Sequence, residues 1–147
     1  MAGEERRGRG RAMEVFVPFT TDLLAVVDTA SPDDVSDAVN AAYACFKSTM
    51  RLMPVYKRAG ILHKAAALLK ERAEDLAQML ARESGKPISL CRIEARRGVD
   101  ILSLAAESAR FVTGEIVPLD ALPGADGRIG LAMRCPFGVV AALSPFN

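Results

Sequence analysis

The chain has 147 residues, 50% hydrophobic and 25% charged, a globular composition rather than that of a disordered segment. Lys and Arg number 19 against 18 Asp and Glu, a formal net charge of +1, which gives no reason to expect nucleic acid, membrane or polyanion partners. No apolar run approaches the roughly 18–20 residues of a membrane span. Three scattered cysteines, Cys45, Cys91 and Cys135, suit neither a disulfide framework nor a zinc site and fit a reducing, cytoplasmic setting.

Residues 1–12, MAGEERRGRGRA, carry Arg6, Arg7, Arg9 and Arg11 among glycines and glutamates and lack the apolar stretch of a secretory signal. They are expected as a flexible basic tail, with an arm for an acidic partner as the less favoured reading. The folded part is expected to span residues 13–147. EVFVPFTTDLLAVVDTA, rich in Val, Phe and Thr, reads as two short strands around a turn. SPDDV opens a helix: Ser31 caps, Pro32 takes the first helical position, and Asp33 and Asp34 sit where the helix dipole favours negative charge. Val35, Ala38, Val39, Ala42 and Phe46 then mark one apolar stripe.

A second helix is expected from near Pro54, where Val55, Ala59, Leu62, Ala66, Leu69, Ala73, Leu76 and Leu80 recur at three- and four-residue spacing. Gly85 and Pro87 stop it. Read as one element it has about 30 residues and a length of roughly 45 Å. A third helix is expected from Ser89 to near Val112, interrupted by Gly98 and without a single narrow apolar face, so it packs on two sides. Beyond Gly114 the period becomes two. Ile129, Leu131 and Met133 alternate with smaller or charged residues, and Asp126-Gly127 marks a turn toward a hairpin with Glu115 to Asp120. Val139 to Leu143 is a continuous apolar run, as in a parallel strand covered on both faces.

The chemistry-bearing candidates divide sharply. ESGKP, Glu83 to Pro87, lacks the upstream glycine and the following hydroxyl of a phosphate loop and reads as a helix end. His63, the one histidine, has no nucleophile placed beside it by sequence, and no cysteine has an identifiable activating base. No metal site is indicated. The remaining candidate is the segment PFGVVAALSPFN. Ligands of open α/β sheets sit beyond the carboxyl ends of parallel strands. Ser144-Pro145-Phe146-Asn147 would follow such a strand, with backbone able to line a crevice and an amide able to donate to an oxyanion.

That segment resembles the Pro-x-Gly-Val, apolar run, Pro-Trp/Phe-Asn stretch of the NAD(P)-dependent aldehyde dehydrogenase superfamily. SPDDVSDAVNAA, LARESGKP and IEARRGVDILSLAAESA are similar to that family's N-terminal part in order and spacing. The resemblance implies an α/β fold: the N-terminal part of a Rossmann-like cofactor-binding domain, with three long helices, a β-hairpin arm over residues 113–135 serving oligomerisation, and the start of a parallel sheet. It implies oxidation of an aldehyde to a carboxylic acid with NAD or NADP through a cysteine thiohemiacetal. It places Asn147 on the catalytic oxyanion donor, and Leu143, Ser144, Pro145 and Phe146 on the strand end that meets the cofactor. None of the three cysteines matches the family's nucleophile motif. The chain is therefore expected to be the first third of a longer enzyme and inactive alone, the parent being a homodimer or homotetramer acting on a small aldehyde. FVTGEIVPLDA and RCPFGVVAALSPFN lean toward members acting on lactaldehyde, succinate semialdehyde or phosphonoacetaldehyde. The competing expectation is a non-catalytic helical protein-interaction module.

Overall fold

The computed structural model describes Gly3 and residues 5–144. Two antiparallel hairpins flank a helical layer. Strands β1 (Ala12–Phe16) and β2 (Leu23–Asp28) pair from Ala12↔Asp28 to Phe16↔Leu23, with a bulge after Val15. Their turn closes through Val17 N–H to Asp22 O and Thr21 N–H to Val17 O, with Thr21 left-handed at φ 59.

Helix α1 (Pro32–Ser48) starts as its first residues dictate. Ser31 Oγ accepts from Asp34 N–H at 3.2 Å, while Asp34 Oδ2 accepts from Ser31 N–H at 2.8 Å, a reciprocal capping box. A 3₁₀ turn (Met50–Leu52) leads on to α2.

The expected 30-residue helix is two helices, α2 (Val55–Glu71) and α3 (Ala73–Ser84). Arg72 between them takes φ −103 and ψ 12, outside the helical well, while its N–H still reaches Leu68 O and its carbonyl still accepts from Leu76 N–H. The break is a bend within one rod. Helix α4 (Ile88–Ser108) runs back antiparallel along that rod: Glu107 meets His63, Gly98 faces Leu69, and Arg92 meets Glu74. A 3₁₀ turn (Ala109–Phe111) takes the place of the expected last turn of this helix.

Small residues make this close approach possible. Among the described residues, the fully or nearly fully buried apolar ones are Ala59 and Ala66 on α2, Ala77 on α3, and Cys91 and Ala106 on α4. Gly98 lets Leu69 lie against the α4 backbone, since a Cβ there would stand 3.0 Å from Leu69 Cδ2. At the far end of α3, Gly85 is left-handed, its N–H bonds Ala81 O at 2.9 Å, and Phe19 of the β1–β2 turn packs over it.

Larger apolar side chains stay open. Ile101 and Leu104 on the outer face of α4, and Val35, Val39 and Tyr43 on α1, are all exposed. The total accessible area is 11978 Å², against about 7,300 Å² for a compact monomer of this mass. Strands β3 (Glu115–Pro118) and β4 (Ile129–Ala132) form the second hairpin, paired from Glu115↔Ala132 to Pro118↔Ile129, exposed almost throughout.

Two segments differ in detail from their reading by sequence. The continuous run Val139 to Leu143 joins no ladder among the described residues, whose two sheets are both two-stranded and antiparallel. A parallel strand needs a neighbour to satisfy alternate backbone groups, and no such neighbour is present in these elements. The tail expected over residues 1–12 is anchored from Gly8 onward: Gly10 N–H bonds Thr29 O, Arg9 pairs with Asp34 and Asp37, and β1 begins at Ala12. These contacts join residues distant in sequence, so composition alone did not reveal them.

Candidate functional site

Residues 133–144, following β4, form no helix or strand. Pro136 removes a ladder donor, Phe137 is fully exposed, and Gly138 turns the backbone with φ 105. A Cβ at Gly138 would lie 3.7–3.9 Å from the Phe46 ring, so this turn passes alongside α1. From there Val140 and Leu143 point largely into solvent, Leu143 at 95% exposure, and Ser144 is also exposed. Leu143 and Ser144 thus present backbone free of any strand partner. Pro145, Phe146 and Asn147 lie outside the described residues.

The other sequence candidates resolve into ordinary structural roles. Gly85 within ESGKP is a helix cap, and Lys86 Nζ reaches Glu94 Oε1 at 2.7 Å rather than facing an open anion cradle. His63 Nε2 sits 3.1 Å from Glu107 Oε1 on the exposed side of the α2–α4 contact. Cys91 is buried with its thiol 3.8 Å from Lys86 O, while Cys45 and Cys135 are exposed. Among the described residues no three His, Cys, Asp or Glu side chains gather as metal ligands, and no helix is long and apolar enough to cross a membrane.

Two carboxylates are held in their charged form. Asp34 lies well below the usual carboxylate range, first through the Ser31 and Arg9 backbone N–H groups and then through the Arg9 guanidinium and Ser31 hydroxyl, against the opposing effect of burial. Glu74 is lowered to about 2, chiefly by Arg92 and then by Gln78. Arg92 Nε and Nη2 grip its two oxygens at 2.9 and 2.8 Å. These pairs fasten elements together. The Arg9–Asp34 pair was not foreseen; its one signal is an arginine between glycines upstream of an acidic helix start.

The profile of the aldehyde dehydrogenase family matches residues 5–147, nearly the whole chain. The chain belongs to the aldehyde dehydrogenase family. This aldehyde dehydrogenase chain is 40% identical over 135 residues to a 3-sulfolactaldehyde dehydrogenase of Priestia aryabhattai, covering 92% of this chain and 28% of the relative. Among solved structures it resembles aldehyde dehydrogenase 21 of Physcomitrella patens, determined with the reaction product succinate, at a TM-score of 0.82 and 37% identity over 89% of this chain and 27% of that one. It resembles an NAD-dependent aldehyde dehydrogenase of Sinorhizobium meliloti at a TM-score of 0.83 and 30% identity, over 92% and 27% of the two chains. The chain spans about 28% of the length of the curated relative. The helical layer and two hairpins are thus the N-terminal architecture of the family's α/β fold.

Proposed function

We propose that this chain contributes the N-terminal part of a cytoplasmic NAD(P)-dependent aldehyde dehydrogenase that oxidises a small aldehyde to its carboxylic acid. The observation that carries this is the match of residues 5–147 to the family, running through PFGVVAALSPFN. A short aldehyde bearing an acidic group is the favoured substrate class. That choice rests on the sulfonated aldehyde in the name of the Priestia relative and on the succinate bound by the moss enzyme. The β3–β4 hairpin, exposed along both edges, would serve as the oligomerisation arm of a homodimer or homotetramer.

In this reading the Asn147 side-chain amide donates a hydrogen bond to the oxygen that becomes negative when a cysteine thiolate, supplied beyond these residues, adds to the aldehyde carbonyl. Amide N–H groups aimed at developing charge act without reorganising, which is where their effect on rate arises. Leu143 and Ser144 offer an exposed backbone edge without enclosing walls. This suits the rim of a cofactor crevice completed by other segments, with Pro145 and Phe146 continuing it. NAD(P)+, when bound, accepts the hydride.

The test is Asn147→Ala in the complete enzyme. Turnover should fall about 100–1000-fold, the loss usual for one oxyanion donor. Undiminished turnover would remove Asn147 from the mechanism. The 147-residue chain by itself should form no NADH or NADPH with any short aldehyde.

A further inference from the structure

The arginine-rich segment has an acidic partner within the same chain. Arg9 N–H donates to Asp34 Oδ2 at 2.9 Å, Arg9 Nε donates to Asp34 Oδ1 at 2.6 Å, and Arg9 Nη2 donates to Asp37 Oδ2 at 2.7 Å. The residues on either side are fastened to the end of β2. Gly10 N–H donates to Thr29 O at 2.9 Å, and Thr29 Oγ1 donates to Arg11 O at 2.5 Å. Glycine is required in both positions next to Arg9. A Cβ at Gly8 would run into the Thr29 carbonyl, and one at Gly10 would stand 2.7 Å from that oxygen. These neighbours are backbone atoms, so they cannot swing aside as the tip of a long side chain does.

The seat is built mainly from α1 and the end of β2. Asp34 is only 9% exposed and also receives Ser31 N–H at 2.8 Å and Ser31 Oγ at 2.9 Å. Its carboxylate is therefore also held from the side of the helix cap by Ser31. The segment above it is different in character. Arg9 is half exposed, and residues 5–11 belong to no helix or strand. Beside the segment runs an open groove of about 510 Å³, lined in part by Gly8, Val35, Ala38 and Val39. A firm seat under a half-exposed segment that belongs to no helix or strand is the arrangement of a part that opens locally while the rest stays folded.

We propose that Gly8-Arg9-Gly10 is a releasable strap, clipped across the β2–α1 junction with Asp34 as its latch. The proposal is independent of the catalytic reading. Its test is limited trypsin digestion of the full chain, with the cleavage rate after each arginine read by mass spectrometry and divided by the rate at the same bond in urea.

Arg9 cannot enter a protease pocket while clipped. Cleavage after Arg9 should therefore lag cleavage after Arg134, which is exposed in irregular chain, by about tenfold or more, the opening being a local equilibrium. Gly8→Ala leaves every acidic group and the α1 cap in place yet blocks the seat, so it should erase the lag with the helical circular dichroism unchanged. Asp34→Asn should do the same, and Asp37→Ala should shorten the lag by about two- to threefold, as expected for losing one exposed contact. Equal wild-type cleavage after Arg134 and Arg9 would overturn the strap. So would a lag that survives Gly8→Ala, even if Asp34→Asn abolished it, since Asp34 would then act on the helix cap alone.

Discussion

Gly98→Ala sets two opposed effects against each other at one position. Gly98 lies inside α4, where glycine costs roughly 0.8–1.0 kcal/mol relative to alanine in helix propensity. Against that, the new methyl would stand 3.0 Å from Leu69 Cδ2. Ordinary carbon contact is about 3.5–4.0 Å, so the leucine must retreat by roughly half an ångström or more. A leucine forced about 30° off its rotamer would lose around 0.5–1.5 kcal/mol, enough to cancel the gain. The structure supplies an escape. Leu69 and Gly98 both line an open groove of about 430 Å³ between α3 and α4, shared with Leu76 and Met79. The leucine tip can move into that space at small cost, leaving a net stabilisation of about 0.5 kcal/mol. With a urea slope of about 1–3 kcal/mol per molar, the unfolding midpoint should rise by roughly 0.2–0.5 M at unchanged slope. A midpoint lowered by that amount or more would mean that Leu69 is locked and the groove offers no slack, which would refute the reasoning.

The opposite outcome is expected at Ala106, fully buried on α4. Ala106→Leu should destabilise by about 1–3 kcal/mol, read from the same urea midpoint, because the extra carbons can be admitted only by separating the helices. Acid should weaken the α3–α4 contact in a defined window. The Glu74 carboxyl titrates at about 2 in the fold against 4.5 ordinarily. Its contribution is therefore complete above pH 4.5 and lost as pH falls from there toward 2. Glu74→Gln should flatten the stability profile over that window, leaving the slope due to Asp34, also depressed. An unchanged profile would show that the Arg92 pair does not couple to folding.

Much of this architecture is legible in the residues. Ser31, Pro32 and Asp34 announce the start of α1, and the capping box forms among them. Apolar residues at three- and four-residue spacing locate the helical rod, and alternation locates β4, because both periods follow from backbone geometry. The bend at Arg72 was not legible. No glycine or proline marks it, and the backbone there departs from the helix without losing the flanking hydrogen bonds. The strap was hidden for another reason: Arg9 and Asp34 are 25 residues apart, and only the fold brings them together. Val139 to Leu143 has the composition of a buried strand, but composition cannot provide the neighbour that a ladder requires. For the candidate site, the resemblance carried by PFGVVAALSPFN did what periodicity could not. One asparagine after one proline says nothing about chemistry until its place in a family is known.

The excess of wetted surface governs how this polypeptide should melt. Folding removes about 47% of the area an extended chain of this mass would show, compared with about 68% for a compact domain. Heat capacity and denaturant sensitivity both follow the area newly hydrated on unfolding, so both steps are smaller here than the mass suggests. The result is a gradual transition with weak curvature in temperature.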